Sequence, residues 1–261
     1  MEMTLEQYIL NPMGKNNAVL NASTREIMRK TYVSKFDNIL LREHGKIEYY
    51  LYEDSKNNVY WMHAKIPSET VKNFYYDVVL KFTANENVKS AGTDLFKYNV
   101  RFYSNDPAFV YTYAHVFSKN DLFIKELSSK MSKQALKKAA VEKNPGNDIG
   151  YVKTIYFAYL LMKNRNLNKL NRFKSESKPL DPRLLLSFIE DADTKIEKRQ
   201  EEGAKVNKRK KTTLDNKSLS KVKKYFNNDT NLERVNITTS KKVKNIKQKN
   251  SVKSISKVKR K

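Results

Sequence analysis

Four dense cation clusters carry the plainest chemistry in this sequence. They are Lys208-Arg209-Lys210-Lys211; Lys221, Lys223 and Lys224; Lys241, Lys242 and Lys244; and Lys257, Lys259, Arg260 and Lys261. Each lysine ammonium is a hydrated point charge on a flexible stem. It suits phosphate neutralisation better than base reading, for which arginine's planar fork is the better shape. From Ala204 onward the chain holds 20 Lys and Arg against Asp215, Asp229 and Glu233. If about half of those cations met duplex phosphates, log K would fall with log salt at a slope of roughly −9 through counterion release. The expected ligand is a polyanion, nucleic acid before any other, bound without regard to sequence. Three other readings use the same residues. A solvated tail would aid solubility, and the two densest clusters have the form of nuclear-import signals. Val252, Ile255 and Val258 among lysines could lie on an anionic membrane, but they lack the Trp, Phe or Leu that anchor interfacial helices.

Elsewhere the chemistry is sparser. Tyr49, Tyr50, Tyr52, Tyr60 and Trp61, beside Lys56 and Lys65, could stack unpaired bases on a sheet. Aromatic residues at period two also serve as core and cross-strand packing. Asp54-Ser55-Lys56 downstream of Asp37 has the residue types of a Mg²⁺-dependent nuclease, but a turn is the wrong place for them. His44, His63 and His115 stand apart from one another and from metal-ligand spacing, so structural roles are expected. The six glycines form no phosphate-binding loop. No catalytic residue, metal or cofactor is expected.

Charge divides the chain. Met1–Ser118 holds 14 Lys and Arg against 13 Asp and Glu, and Lys119–Lys261 holds 38 against 15, which accounts for nearly all of the net +24. A near-neutral body with a basic arm follows. Zero cysteines leave no disulfide framework or thiolate chemistry, as suits a reducing compartment or a virion interior. The acidic start Met1-Glu2-Met3-Thr4-Leu5-Glu6 lacks a signal-peptide pattern. The longest apolar stretch, Ile155–Met162, is far short of the ~20 residues that span a bilayer. No membrane role is expected.

The elements that position these groups read as α+β. Thr4-Leu5-Glu6-Gln7 and Ser23-Thr24-Arg25-Glu26 have capping-box spacing. The second opens a helix over Thr24–His44, with Met28, Tyr32, Phe36, Ile39 and Leu40 on one face and Gly45 as its stop. Ile47–Glu53 and Val59–Ile66 flank the turn-forming Ser55-Lys56-Asn57-Asn58 and predict a hairpin. Phe74–Phe82 and Leu95–Tyr103 complete about four antiparallel strands, joined by a polar loop over Thr83–Asp94. Asp106-Pro107 opens a helix with the stripe Phe109, Val110, Tyr113, Val116 and Phe117. Helices are predicted over Asp121–Met131, Ser132–Glu142, Asp148–Lys163 and Asp181–Glu202, with a polar, basic connector over Asn164–Pro179. The expected organisation is a folded body over 1–170, a connector and helix over 171–203, and a disordered tail over 204–261.

The run Phe102-Tyr103-Ser104-Asn105-Asp106-Pro107-Ala108-Phe109-Val110-Tyr111-Thr112-Tyr113-Ala114, with the Lys/Asn/Ile-rich composition, resembles small structural proteins of tailed bacteriophages from low-GC hosts. The likeness covers a short part of the chain and transfers no functional residue. It implies a non-enzymatic structural or assembly protein in a virion or the host cytoplasm, within an oligomer or larger assembly. The body would contact other structural proteins and the tail would contact DNA. The alternative from a different class is a regulatory or processing factor whose body itself contacts the strand.

Overall fold

The computed structural model describes residues 2–10, 22–84, 93–144 and 146–205, excluding the side chains of 22–25. All of these lie in one compact unit, Met1–Lys208.

The first capping box forms as its spacing predicts. Gln7 N–H donates to Thr4 Oγ1 (3.1 Å) and Thr4 N–H to Gln7 Oε1 (2.9 Å), opening α1, Leu5–Leu10. Helix α2, Ala22–Arg42, turns the predicted face inward, burying Phe36 and Ile39. The predicted glycine is left-handed, at φ 72°, and so is the residue before it. Gly45 N–H bonds the Leu40 carbonyl (2.7 Å) and His44 N–H the Leu41 carbonyl (3.2 Å), so the left-handed position of this Schellman pattern falls on His44, at φ 51°. A Cβ there costs about 1 kcal/mol. His44→Gly is expected to raise stability by about 0.5–1 kcal/mol in urea unfolding; a fall would show that the exposed imidazole makes a stabilising contact.

Strands β1, Tyr49–Asp54, and β2, Val59–Pro67, make the expected hairpin with Tyr52 opposite Trp61. Asp54 closes its turn by accepting from Asn57 Nδ2 at 2.7 Å. Strands β3, Tyr75–Thr83, and β4, Asn99–Ser104, continue the antiparallel order β4-β3-β2-β1. Strand β4 starts later than predicted because Leu95–Lys97 form a 3-10 turn, capped by Asp94, which accepts the Phe96 N–H at 3.0 Å. The sheet is five-stranded and mixed rather than four-stranded and antiparallel. Its fifth strand, β5, Lys178–Pro179, pairs parallel to β1, and Leu180 N–H bonds the Glu53 carbonyl at 2.8 Å. Two residues are too few to show a strand period, so only pairing reveals this element. Residues 85–92 of the predicted loop lie outside the described residues.

Both sheet faces are buried, giving three layers. On one face, Phe102 packs on Tyr8 and Phe117 (ring centroids 4.8 and 5.5 Å), and Ser104 Oγ meets Thr154 Oγ1 at 3.3 Å. On the other, Tyr50 stacks between His63 and Phe188 (5.7 and 5.8 Å). The hairpin aromatics Tyr52, Tyr60 and Trp61 are buried, with Tyr49 and Tyr50 half-buried. Packing, not an open stacking platform, is their role.

Helix predictions were met unevenly. Asp106 caps as expected, accepting the Ala108 N–H at 2.9 Å, but Phe109–Tyr113 widen into a π-helix before α3, Ala114–Lys119. No α-helix covers 121–131. Residues 122–124 instead seal the edge of β4, with Phe102 N–H bonding the Leu122 carbonyl (2.7 Å) and Ile124 N–H the Phe102 carbonyl (3.1 Å), and Lys125–Lys130 form a 3-10 helix. The helix expected over Ser132–Glu142 shrinks to α4, Lys133–Lys137. Helix α5, Lys153–Asn164, starts five residues late because the chain before it is tied to α1. Tyr8 Oη donates to the Gly150 carbonyl and accepts the Val152 N–H, both at 3.0 Å.

The stretch Asn164–Pro179, expected as a polar connector, contains α6, Leu170–Glu176, as well as β5. The single helix expected from Asp181 breaks in two, α7, Pro182–Phe188, and α8, residues 192–205. Phe173, Leu185, Ile189, Ala192 and Ile196 join the same core as the sheet. Among the described residues no helix is long and apolar enough to cross a membrane.

Candidate nucleic-acid interface

The fourteen cations assigned to phosphate from the sequence, Lys208 through Lys261, fall in 206–261 and lie outside the described residues, as does the predicted disorder there. Helix α8 reaches 205, two residues into the stretch assigned to the tail.

The folded unit has cations of its own: residues 1–205 hold 33 Lys and Arg against 25 Asp and Glu. Part of that excess is concentrated where α5 ends and α6 begins. Lys163, Arg165, Lys169, Arg172, Lys174 and Lys178 are exposed, with Glu176 the acid among them. Short elements with exposed polar turns place them. Arg165 donates to the Gly45 carbonyl at 2.7 Å, which holds the end of α5 against the turn after α2. Arg172 pairs with Glu176, whose other oxygen accepts from Tyr49 Oη at 2.9 Å. Burial and the Glu176 hydrogen bond push the Tyr49 hydroxyl up, and the charges of Arg165 and Arg172 pull against them. Tyr49 therefore marks a point near both guanidiniums. Lys174 lies over the Tyr60 ring at 5.5 Å. Lys163, Lys169 and Lys178 make no ion pair among the described residues. Cations held this way, with amide side chains Asn164, Asn166 and Asn171 beside them, can neutralise phosphate and donate hydrogen bonds to it.

A second basic segment, 132–143, lies across the π-helix. Lys133, Lys137, Lys138 and Lys143 are exposed, with Glu142 as the acid. The segment is fastened at its middle and at its far end. His115 Nδ1 meets the Leu136 carbonyl at 3.0 Å, and the buried Asn144 Nδ2 bonds the Thr112 and Asp148 carbonyls at 3.4 and 2.8 Å. Between them opens a cavity of about 530 Å³, with Tyr111 and Val110 on one side and Ala135, Lys138 and Val141 on the other. Tyr111 is 48 % exposed, and Lys143 Nζ lies 5.4 Å from its ring centroid. The signal for Tyr111 in the sequence is that it falls outside the apolar stripe of its helix.

The nearest approach to a catalytic arrangement is sealed inside the sheet. His63, fully buried, meets Asp77 Oδ1 through Nε2 at 2.8 Å, and its Nδ1 has no hydrogen-bond partner. Asp77 Oδ2 accepts from Asn105 Nδ2 (2.8 Å) and from Glu190 N–H (3.3 Å). Burial alone would raise the Asp77 carboxyl. The His63 hydrogen bond, the Lys195 ammonium and the Asn105 amide outweigh burial and hold it below the usual carboxylate range. Tyr50 and Phe188 cover His63, so the group acts as a clamp on the break between α7 and α8. Asp37 and Asp54, paired in the nuclease reading, fall on α2 and on the hairpin turn, and Asp54 is engaged with Asn57. Among the described residues no three His, Asp or Glu side chains gather as a metal site. Compared with known protein families, curated proteins and solved structures, the chain matches none.

Proposed function

We propose that this chain is a non-enzymatic, nucleic-acid-binding structural or assembly protein. Its folded unit contacts other proteins, and its Lys-rich segment beyond α8 neutralises phosphate without reading sequence. The carrying observation is the charge split, net +1 before Lys119 and net +23 from there on. Such a segment has too little apolar surface to offset its chain entropy, and counterion release favours its binding to a phosphate polymer. The resemblance of residues 102–114 to tailed-phage structural proteins supports a place in or near a DNA-filled particle, in the virion or host cytoplasm.

A second reading, a regulatory or processing factor whose body holds the strand, is favoured by one observation. The exposed cations of 163–178 lie on the folded unit itself.

Glutamine substitution at all fourteen cations from Lys208 to Lys261 named above separates the two. On the first reading, duplex DNA binding at physiological salt is nearly abolished, and the slope of log K against log salt falls from roughly −9 toward zero, with the unfolding midpoint unchanged. Retention of most affinity, lost instead on substituting Lys163, Lys169 and Lys174, would establish the second. If the wild-type chain binds neither DNA nor RNA at low salt, both fail.

A further inference from the structure

We infer that the Tyr111 cavity is a stacking pocket for one unpaired nucleobase, so that the folded unit selects single-stranded over duplex nucleic acid; this rests on the nucleic-acid reading above and adds a ligand class to it. Three observations converge on the ring and its surroundings. Among the described residues Tyr111 is the most exposed aromatic ring, at 48 %, with Phe188 next at 44 %. The cavity beside it, about 530 Å³, lies within the range that takes a nucleotide-sized ligand. Ala135, Ala139, Ala140 and Val141 give it an apolar wall, as a flat base requires on its second face.

Charge fixes the class of occupant. Lys138 and Lys143 line the cavity and Lys133 is exposed on the same short segment, with Glu142 the opposing acid. An apolar ligand would gain nothing from these ammoniums, whereas a base flanked by phosphates would use both the ring and the cations. Lys143, already over the Tyr111 ring, can remain there while its charge faces a phosphate. Duplex DNA keeps its bases stacked and cannot deliver one to the pocket without the cost of flipping it out.

The frame is built to hold this shape. The π-helix Phe109–Tyr113 turns Tyr111 outward while Phe109 and Val110 stay buried, and such wide turns recur at functional sites. His115 of α3 holds the middle of the lysine segment through the Leu136 carbonyl, and Asn144 holds its far end to Thr112 of the π-helix, so the gap between ring and wall does not depend on a free loop.

The test uses the full chain with a dT oligonucleotide and a duplex of equal length, at a salt concentration where wild-type binding to each is measurable. Tyr111→Ala is expected to weaken oligo(dT) binding about 10-fold and to leave duplex affinity within twofold. Tyr111→Trp should keep or tighten it, and Lys143→Gln should weaken it with a smaller salt slope. Tyr111 is half exposed, so its variants should keep the wild-type unfolding midpoint. Quenching of 2-aminopurine placed in the oligonucleotide should be lost in Tyr111→Ala. Unchanged oligo(dT) affinity in Tyr111→Ala, or equal losses for both ligands, overturns the stacking pocket while leaving tail-borne binding intact. Absence of binding to either ligand by the wild-type chain would instead remove the reading on which the pocket rests.

Discussion

Ending the chain at Leu170 is expected to abolish its cooperative unfolding transition, whereas ending it at Lys205 should preserve that transition. Residues 171–205 contribute Phe173, Leu185, Ile189 and Ile196 to the common core. They also supply β5, which pairs with β1. Removing one large buried side chain typically costs about 2–5 kcal/mol, against a total stability of about 5–15 kcal/mol for a domain. Losing four together costs about 8–20 kcal/mol on that scale, enough to consume the margin of most domains. The loss would also open the sheet face bearing His63 and Trp61, and buried polar groups there would have to find water. A single substitution gives the graded version. Phe173 is fully buried and packs edge-on to Tyr60 at 5.9 Å, so Phe173→Ala should cost about 3–5 kcal/mol by urea unfolding. Near-ultraviolet circular dichroism and the urea midpoint report on each chain. A 1–170 chain that unfolds cooperatively near the wild-type midpoint would show that the later residues merely rest on a self-sufficient body.

Asp77→Ala should cost about 3–5 kcal/mol, more than its small loss of volume suggests. The carboxylate is acceptor for three donors at once, His63 Nε2, Asn105 Nδ2 and Glu190 N–H. Without it, His63 Nε2 and the Glu190 N–H are stranded in a region closed by Tyr50 and Phe188, and Asn105 Nδ2 keeps only its longer bond to the Glu190 carbonyl at 3.3 Å. Asp77→Asn keeps the shape but points an amide N–H₂ at donors, so it should recover little of the loss. The pH dependence follows from the direction of the shift. Asp77 is held below the usual carboxylate range in the fold, so its contribution is present above that range and is lost as pH falls through its lowered value. Asp106 runs the other way. Burial pushes its carboxyl up, so its contribution is fully present below the ordinary range and is lost as pH rises through the raised value. Urea midpoints measured from neutral to acid pH should therefore fall less steeply in Asp77→Asn than in the wild type. An unchanged acid limb would show that Asp77 carries no linked proton.

Local chemistry was legible in the sequence wherever partners lie within a few residues. The Thr4–Gln7 box, the Asp54 turn, the Asp106 cap and the Asp181 cap, whose carboxylate accepts the Arg183 N–H at 2.9 Å, all form as read. Each satisfies backbone groups in its own turn, so neither fold nor neighbours can easily override it. The hairpin register followed from the same kind of information, a turn flanked by alternating residues. Misreadings cluster where a distant partner claims the backbone. Leu122 and Ile124 have helix-compatible neighbours, but the unpaired edge of β4 takes their hydrogen bonds. Glu190 sits within an amphipathic run, but Asp77 and Asn105, more than eighty residues away, bond its N–H and carbonyl and break the helix.

The sequence by itself determined the charge split, the Thr4–Gln7, Asp106 and Asp181 caps, the hairpin and the α+β class, because composition and short-range hydrogen bonding need no third dimension. Only the tertiary structure decided that the hairpin aromatics are core and that Tyr111 faces outward, the most exposed ring among the described residues. It also decided that 164–205 belongs to the sheet's own layers. The physical reason is the same in each case: which face of a residue is buried depends on what the rest of the chain brings against it, and a local pattern of apolar side chains does not encode that.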